Sequence, residues 1–306
     1  MNANIRNVPP QPRADDLVVV RCPAKTNLSL RVSTARNMAG NRHSLSTLYC
    51  GLSLVDTVQL SRSPSGSGFS LKLVGEHLGD LGLPDYDAAD NHAVRALLSL
   101  ARRYHKPPDV CITITKRIPV GAGLGGGSTD AAGVLLGLRT LWGLNASISD
   151  LEAIAAELGA DMPFCLHGGL AYGNGYGEKL SMVEESSEVA QHARASGLLG
   201  ETLIGAYQQR LPTVEVYKAF DHLGANPDDI NDLQQAALAL HPRSRQAIDL
   251  ALAAGATHAF ISGSGPSVIA CVNKAGASQA VRNAWLAAQA TDWILPATSP
   301  ARPQVE

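Results

Sequence analysis

The sequence lacks both a long hydrophobic run and a hydrophobic start. No stretch of its 306 residues approaches the ~20 apolar residues that a membrane-spanning helix needs. The opening segment MNANIRNVPPQPRADD is polar and proline-rich, without the apolar core of a secretory signal. We therefore expect a cytoplasmic protein without membrane association, and a disordered lead-in over residues 1–16.

The sequence also lacks an excess of charge of either sign. Lys and Arg total 25 and Asp and Glu total 27, which gives a formal net charge of −2. Nucleic-acid-binding proteins are normally basic, so this balance predicts no nucleic-acid partner. Hydrophobic residues make up 45% of the chain and charged residues 17%, a composition that supports a substantial core. A chain of this length favours two domains.

Cysteine is scarce and scattered. The five cysteines show no CxxC pair and no Cys/His cluster with the spacing of a metal site. They are odd in number and lie mostly within apolar runs. We therefore expect small buried thiols in a reducing compartment rather than disulfides or a metal centre.

Strand-like and helix-like segments are mixed along the chain, which predicts an α+β fold. Short strands are expected at 17–22 and 27–32, joined by a tight turn at PAKT, and 61–68 has the composition of a hairpin turn. Alternation of polar and apolar residues predicts a strand at 110–118. Asp90 is the expected N-cap of the helix that precedes this strand.

Five glycines follow that strand in the segment PVGAGLGGGSTDAA, at positions 121, 123, 125, 126 and 127. Glycines let the backbone turn closely into a helix, whose free N–H groups and dipole then bind an anion. Ser128 stands where an N-cap is expected, and its hydroxyl also suits a phosphate or Mg²⁺. A plain glycine-rich connector is the alternative. Because so many glycines are entropically unfavourable in a connector, the segment favours phosphate binding.

Two common phosphate loops are excluded. Gly121, Gly123 and Gly126 satisfy G-x-G-x-x-G, but a helix and LNASIS follow instead of a second strand ending in an acidic residue. A Walker A loop requires Gly-Lys-Ser/Thr, and no lysine follows these glycines. A different class of phosphate-binding protein is therefore indicated.

Three segments resemble the motifs of the GHMP kinases: CPAKTNLSLRV, PVGAGLGGGSTDAA and ISGSGPSVIACV. Finer segments (LSLVDTVQL, ADNHAVRAL, LGADMPFCLHGG, PTVEVY, NDLQ) are similar to the branch of this family that phosphorylates 4-diphosphocytidyl-2-C-methyl-D-erythritol in the non-mevalonate isoprenoid pathway. The resemblance covers roughly residues 17–275.

The resemblance implies a two-domain GHMP kinase fold of the α+β class. Its N-terminal, ATP-binding domain, like domain 2 of ribosomal protein S5, is expected at 17–180. A C-terminal domain that is a ferredoxin-like α/β sandwich is expected at 181–296. The proline-rich residues 297–306 are expected to form a frayed tail.

For catalysis, the resemblance implies that Asp161 accepts a proton from the substrate hydroxyl and that Lys25 stabilises this carboxylate or the transferring phosphoryl group. From the residues alone, Asp161 is equally suited to be a helix N-cap, and Lys25 to be a solvated lysine at a strand end.

For the nucleotide, the resemblance implies ATP held by the glycine-rich loop, with adenine near Asn91. Ser128 is the expected Mg²⁺ ligand. Asp130 either approaches that ion or only complements the helix dipole. The expected ATP-binding residues are Pro119, Gly121, Gly123, Leu124, Gly125, Gly126, Gly127, Ser128, Thr129 and Asn91.

For the substrate, the resemblance implies contacts from Asn27, Arg42, His43, Tyr217, Ser264 and Gly265. His43 corresponds to the family histidine that hydrogen-bonds cytosine, and Tyr217 to an aromatic residue beside the base. The family usually reads Gly-Tyr-His where this chain reads Asn-Arg-His at 41–43. Arg42 therefore either stacks on the base in place of tyrosine or is a surface residue. The alternative role for Tyr217 is that of an aromatic residue in the core-facing side of its helix.

The implied reaction transfers the γ-phosphoryl group of ATP, with Mg²⁺, to the 2-hydroxyl of 4-diphosphocytidyl-2-C-methyl-D-erythritol, in a monomer or homodimer. Two alternatives remain open. The chain would act on another small alcohol, such as homoserine or mevalonate, or it would be a non-catalytic sensor that binds ATP.

Overall fold

A computed structural model describes residues 17–37, 42–82 and 87–306. The expected lead-in at 1–16 and Asn41 lie outside the described residues. The described strands are β1 Leu17–Asn37, β2 Arg42–Arg62, β3 Ser70–Gly75, β4 Val110–Lys116, β5 Leu170–Asn174, β6 Lys179–Val183, β7 Gly200–Ala206, β8 His258–Ile261, β9 Val268–Cys271, β10 Trp293–Ser299 and β11 Gln304–Val305.

The α-helices lie mainly between these strands, and short 3₁₀ helices precede the first of them. The α-helices are α1 His92–Arg103, α2 Gly126–Leu141, α3 Ile148–Leu158, α4 Met162–His167, α5 Glu188–Ala195, α6 Thr213–Leu223, α7 Gln234–Leu240, α8 Pro242–Ala253 and α9 Ala277–Ala287. Among the described residues, no helix has the length and apolar character that a bilayer span requires.

The described strands form two sheets. The seven-stranded sheet has the order β11-β1-β2-β4-β3, and β5 and β6 extend it from β2. The four-stranded sheet has the order β10-β7-β9-β8 and is antiparallel throughout. The α+β class predicted from the sequence is confirmed.

β1 corrects the prediction of two short strands joined by a PAKT turn. One strand runs through Leu17–Asn37 and pairs with β2 along its length. The pairing register shifts between Pro23 and Ala24 and again between Asn27 and Ser29. The residues that resemble a turn in sequence are therefore bulges in a long strand, and the bulges redirect the Lys25 and Asn27 side chains.

β3 corrects the prediction of a hairpin at 61–68. The chain does turn there, but β3 pairs with β4 in parallel, and it does not pair back with β2. In the sheet, β4 lies between β2 and β3. The partner of β3 is therefore β4, the strand that the chain reaches only after the long connection through α1. Local composition indicates a turn but not which strand the chain joins next.

Three large clusters of buried apolar side chains pack the helices onto the two sheets and the sheets onto each other. Leu97 of α1 and Leu135 of α2 pack against the seven-stranded sheet, and Trp285 of α9 packs against the four-stranded sheet. Neighbouring residues of β7 point to opposite faces: Leu203 faces the helices, while Ile204 joins a third cluster between the sheets. The two sheets therefore share a buried apolar layer.

The prediction of a frayed tail at 297–306 is wrong. β10 occupies Trp293–Ser299 in the second sheet, and β11 then pairs Val305 with Val20 at the edge of the first sheet. The predicted domain boundary at 180/181 falls inside β6. The end of the chain therefore belongs to both sheets in turn.

Candidate active site

A cleft of about 1070 Å³ opens where the glycine-rich loop meets the second sheet. Its lining comes from β1 and β2, from the 119–128 loop, from the residues before α4, and from the loop between β8 and β9. This volume suits a nucleotide together with a second small molecule. Elements from both halves of the chain form one site.

The glycine-rich loop has the backbone geometry of an anion cradle. Gly121, Gly123 and Gly125 have φ of +70°, +77° and +71°, values that favour glycine. Gly125 is the N-cap of α2, so the Ser128 prediction as N-cap is wrong: that residue lies within the first turn. Its hydroxyl still lines the cleft. The N-terminal N–H groups of α2 open toward the cavity.

Two of the expected ATP-binding side chains point away from the cavity. Leu124 is buried in the core between the sheets, and only its backbone belongs to the loop. The Thr129 hydroxyl donates to the Pro23 carbonyl at 2.7 Å, and its N–H donates to the Gly125 carbonyl. Both polar groups of Thr129 therefore stabilise the loop.

A lysine, an aspartate and a tyrosine meet beside the loop. Lys25 Nζ lies 3.0 Å from Asp161 Oδ2, and the Tyr49 hydroxyl donates to Asp161 Oδ1 at 2.8 Å. Asp161 is at the N-cap position of α4, but its side chain makes no capping hydrogen bond. The N-cap alternative for this side chain is therefore excluded by its geometry.

These contacts set the charge of Asp161. Burial by itself would raise the pKa of this carboxyl, but the Lys25 ammonium and the Tyr49 hydroxyl outweigh burial and hold the pKa below its usual value. Asp161 is therefore ionised at neutral pH. An ionised carboxylate that faces a cleft can accept a hydrogen bond from a substrate hydroxyl.

Lys25 is held in place by more than the ion pair. It is buried, and its Nζ donates to Asn27 Oδ1 at 3.2 Å. Asn27 in turn donates to the Thr47 hydroxyl on β2 at 2.7 Å. A Cβ added at Gly125 would lie 2.7 Å from Lys25 Cγ, so this glycine gives the lysine room. The solvated-lysine alternative does not describe this side chain.

The loop between β8 and β9 closes the cleft from the second sheet. The Ser262 hydroxyl donates to the Gly123 carbonyl at 3.1 Å, which joins this loop to the phosphate loop. Ser264 and Gly265 line the cavity, and the Ser264 hydroxyl lies 3.0 Å from that of Thr213. Both predicted residues of this loop thus lie in the cleft.

A buried charged cluster lies beneath the phosphate loop. Lys116, the last residue of β4, contacts Asp56 and lies 2.6 Å from Asp130 Oδ2 on α2. Burial alone would lower the Lys116 pKa, but the two carboxylates raise it above its usual value. Burial raises the pKa of Asp130 to about 7, with Asp56 adding to that effect and Lys116 opposing it.

The adenine end predicted at Asn91 contains an additional histidine. Asn91 lines the cleft and is the N-cap of α1, accepting from the Ala93 N–H at 2.9 Å, so the Asp90 prediction is wrong by one residue. His92 also lines the cleft, next to Gly127. Burial lowers the pKa of His92, which favours its neutral form.

The opposite end carries planar side chains. His43 stacks on Tyr217 with ring centroids 5.7 Å apart and 20° between the planes. The Arg42 guanidinium lies over the Tyr176 ring at 4.4 Å, and all four side chains line the cleft. The predicted substrate residues at positions 42, 43 and 217 are therefore brought together, with Tyr176 added.

Comparison with protein families identifies the fold and the class of enzyme. The family models described as the GHMP kinases N terminal domain and the GHMP kinases C terminal domain match residues 91–169 and 217–291. The chain belongs to the GHMP kinase family. This GHMP kinase is a small-molecule kinase that uses ATP, and the two-domain fold predicted from its sequence is confirmed.

Curated relatives of this GHMP kinase extend the comparison over nearly the whole chain. It is 51% identical to the 4-diphosphocytidyl-2-C-methyl-D-erythritol kinase of Bifidobacterium longum subsp. infantis, over 94% of this chain and 91% of that protein. It is 36% identical to the enzyme of the same name from Mycolicibacterium smegmatis, over 82% of this chain and 80% of that protein.

Solved structures give the same fold. A crystal structure of 4-(cytidine 5′-diphospho)-2C-methyl-D-erythritol kinase matches this GHMP kinase with a TM-score of 0.71 at 28% identity, over 92% of this chain and 99% of the other. Homoserine kinase from Cytophaga hutchinsonii matches with a TM-score of 0.69 at 20% identity, over 98% and 100% of the two chains, which shows the fold alone.

Besides His92, sequence reasoning missed three residues of this site. Tyr49 lies within a strand, Tyr176 within a hairpin turn, and Lys116 at the end of a regular strand. None of them belongs to a motif with recognisable spacing. Only the pairing of β2 with β1 and β5 brings the tyrosines to the cleft.

Proposed function

We propose that this GHMP kinase transfers the γ-phosphoryl group of ATP to the 2-hydroxyl of 4-diphosphocytidyl-2-C-methyl-D-erythritol, in the cytoplasm. The observation that carries the proposal is the Lys25–Asp161 pair, 3.0 Å apart, beside the N-terminus of α2. The names of the relatives, at up to 51% identity over almost the full chain, support this substrate.

The residues of the cleft divide the work of phosphoryl transfer. The loop at 121–127 and the N-terminus of α2 hold the phosphates through backbone N–H groups. Asp161, ionised, accepts the proton of the substrate hydroxyl as its oxygen bonds to the γ-phosphorus and the bond to the ADP oxygen breaks. Lys25 offsets the negative charge on the transferring group.

Magnesium fits the residues at the start of α2. Ser128 lines the cleft, and Asp130 Oδ1 is buried and makes no hydrogen bond to any residue that the structure describes. Within the described residues no group of three His, Cys, Asp or Glu side chains is placed to hold a metal ion. Mg²⁺ typically needs only one or two protein ligands when phosphates supply the others. When bound, it would neutralise charge on the β- and γ-phosphates.

ADP release tests the proposal directly. Purified protein with Mg-ATP is offered the cytidyl substrate, with mevalonate and homoserine as controls. We expect turnover of the cytidyl substrate alone. Turnover of a control alcohol would support kinase activity but contradict the proposed substrate. ATP binding without turnover of any alcohol would contradict catalysis.

A further inference from the structure

The segment NDLQ, at 231–234, has no part in the proposed reaction, yet it begins with a fully buried asparagine. Asn231 Nδ2 donates to the Ile261 carbonyl at 2.9 Å and to the Gly263 carbonyl at 2.7 Å. Its Oδ1 accepts from the Leu233 N–H at 2.9 Å. Two carbonyl oxygens accept only from the nitrogen, so the orientation of the amide is fixed. Both of its donors therefore hold the loop between β8 and β9.

The backbone on either side of Asn231 is bonded to β1 instead. The Leu30 N–H donates to the Ile230 carbonyl at 2.9 Å, and the Asp232 N–H donates to the Leu30 carbonyl at 2.9 Å. The Asp232 carboxylate also accepts from the Val32 N–H at 2.8 Å. Residues 230–232 thus pair with β1 in parallel, while the side chain between them reaches the other sheet. Asn231 therefore links β1 with the β8–β9 loop.

The loop that Asn231 holds lies against the residues proposed for phosphoryl transfer. A Cβ added at Gly263 would lie 3.3 Å from Lys25 Nζ and 3.2 Å from the Gly123 carbonyl. A Cβ added at Gly123 would lie 2.9 Å from the Gly265 nitrogen. Backbones this close leave no room for a side chain. A small displacement of the β8–β9 loop would therefore change the surroundings of the Lys25 ammonium.

We propose that Asn231 is a positioning residue for phosphoryl transfer: it fixes the β8–β9 loop relative to β1, so that Gly263 keeps its place beside Lys25. This inference rests on the proposed function and goes further, because Asn231 does not itself line the cleft. Misplacement of reacting groups by about 1 Å lowers a rate by about 10²-fold, even when the substituted residue lies away from the chemistry.

Asn231→Leu tests this role, because leucine has nearly the same shape and donates no hydrogen bond. We expect kcat with the cytidyl substrate to fall by about 10–100-fold. The Kd of ATP, measured by calorimetry, should change by less than about threefold, because the N-terminus of α2 holds the phosphates. Each kcat is measured well below the melting temperature of the variant and expressed per folded molecule.

Asn273→Leu is the matched control. Asn273 Oδ1 accepts from the Glu201 N–H at 2.7 Å, and its Nδ2 donates to the Gly197 carbonyl at 2.9 Å. None of these three residues lines the cleft. The control therefore removes the same kinds of hydrogen bond elsewhere, and it should keep the wild-type kcat and Kd.

Ser262→Ala loosens the same loop from its other side. The Ser262 hydroxyl donates to the Gly123 carbonyl at 3.1 Å and lies 3.0 Å from the Thr26 hydroxyl. We expect kcat to fall by about 3–10-fold, the effect of one hydrogen bond. The double variant Asn231→Leu/Ser262→Ala should lose less than the product of the two factors, because both changes displace one loop.

A purely structural role would lower the melting temperature of Asn231→Leu and leave its kcat equal to that of Asn273→Leu, which would overturn the inference. A Kd of ATP that rises as much as kcat falls would also overturn it, as would fully multiplicative effects in the double variant. If Asn231→Leu does not fold, Ser262→Ala decides, and a wild-type kcat in that variant overturns the inference.

The wild-type protein separates this inference from the proposed function. If wild type turns over mevalonate or homoserine in place of the cytidyl substrate, the proposed substrate is refuted, and a fall in kcat of Asn231→Leu with that alcohol still supports the inference. If wild type turns over none of the alcohols, both are refuted. Turnover of the cytidyl substrate with an unchanged kcat in Asn231→Leu refutes the positioning role alone.

Discussion

Two donors converge on a single carboxylate, Asp161, in the candidate active-site cleft. Lys25 contacts one oxygen of Asp161 and the Tyr49 hydroxyl donates to the other. A carboxylate that receives two such donors stays ionised at neutral pH, which suits the base role proposed for Asp161. Phosphoryl transfer suits such a group, because positioning and charge neutralisation matter more than strong basicity.

Asp161→Asn removes the proposed base without changing the shape of the side chain. We expect kcat to fall by about 10²–10⁴-fold, since an amide cannot accept the hydroxyl proton. ATP affinity should persist, because the loop N–H groups hold the phosphates. Asp249→Asn, at an exposed position of α8, is the control. Near-normal turnover would remove Asp161 from the mechanism.

Tyr49→Phe keeps the ring stacked on Phe164, with centroids 4.9 Å apart, and removes the hydroxyl that donates to Asp161. Losing that hydrogen bond raises the pKa of Asp161. Since Asp161 is proposed to act as the base only when ionised, the acid limb of the kcat profile should move to higher pH. A pH series of turnover measures the shift, with Tyr104→Phe as control. An acid limb at the wild-type pH would contradict the assignment.

At the scale of elements, a buried ion cluster connects β4 and α2, the two elements on either side of the glycine-rich loop. Lys116 at the end of the strand contacts both Asp130 on the helix and Asp56 on β2. Asp56 also accepts from the Arg117 and Ile118 N–H groups as the chain leaves the strand. These contacts fix both ends of a loop that has few side chains of its own.

Lys116→Met leaves two buried carboxylates without a counter-ion. We expect the free energy of unfolding to fall by about 3–5 kcal/mol at neutral pH, because an uncompensated buried charge is costly. The Asp130 pKa is already raised to about 7, so protonation relieves the repulsion as pH falls, and the loss should shrink toward about pH 5.

Denaturant unfolding at the two pH values measures that loss, and Lys106→Met, at an exposed lysine, is the matched control. A loss that stays constant with pH would show that the carboxylates are not the cause. A loss no larger than that of the control would show that the cluster does not stabilise the loop.

At the scale of the molecule, the end of the chain returns from the second sheet to the first. The Ala301 carbonyl accepts from the Gly169 N–H at 2.7 Å, and the Ala301 N–H donates to the Gly51 carbonyl at 3.0 Å. Glu306 and Val19 then exchange two backbone hydrogen bonds. The terminal segment therefore joins the two halves of the molecule that share the candidate active-site cleft.

Deletion of residues 300–306 removes these four backbone hydrogen bonds. At roughly 0.5–1.5 kcal/mol each, we expect a loss of about 2–6 kcal/mol in the free energy of unfolding, measured by denaturant titration. Glu306→Ala, which removes only an exposed ion pair to Arg21, should lose under about 1 kcal/mol. Equal stability of the deletion variant and wild type would mean that this strand contributes nothing.

The sequence by itself determined the features that depend on neighbouring residues. These are the amphipathic strand at β4, the glycine-rich entry to α2, α3 with its end at Gly159, and the motifs that identify the family. Backbone freedom at glycine and the period of apolar side chains act over a few residues, so they can be seen in the chain.

Only the tertiary structure decided where distant segments meet. It made the PAKT residues a bulge in one long strand, paired β3 with β4, brought Tyr49 to Asp161, and placed Tyr176 under Arg42. It also paired β11, in the proline-rich end of the chain, with β1 of the first sheet. Strand pairing and burial join residues far apart in the chain, and no local pattern encodes the partner, so these contacts are settled only when the whole core packs.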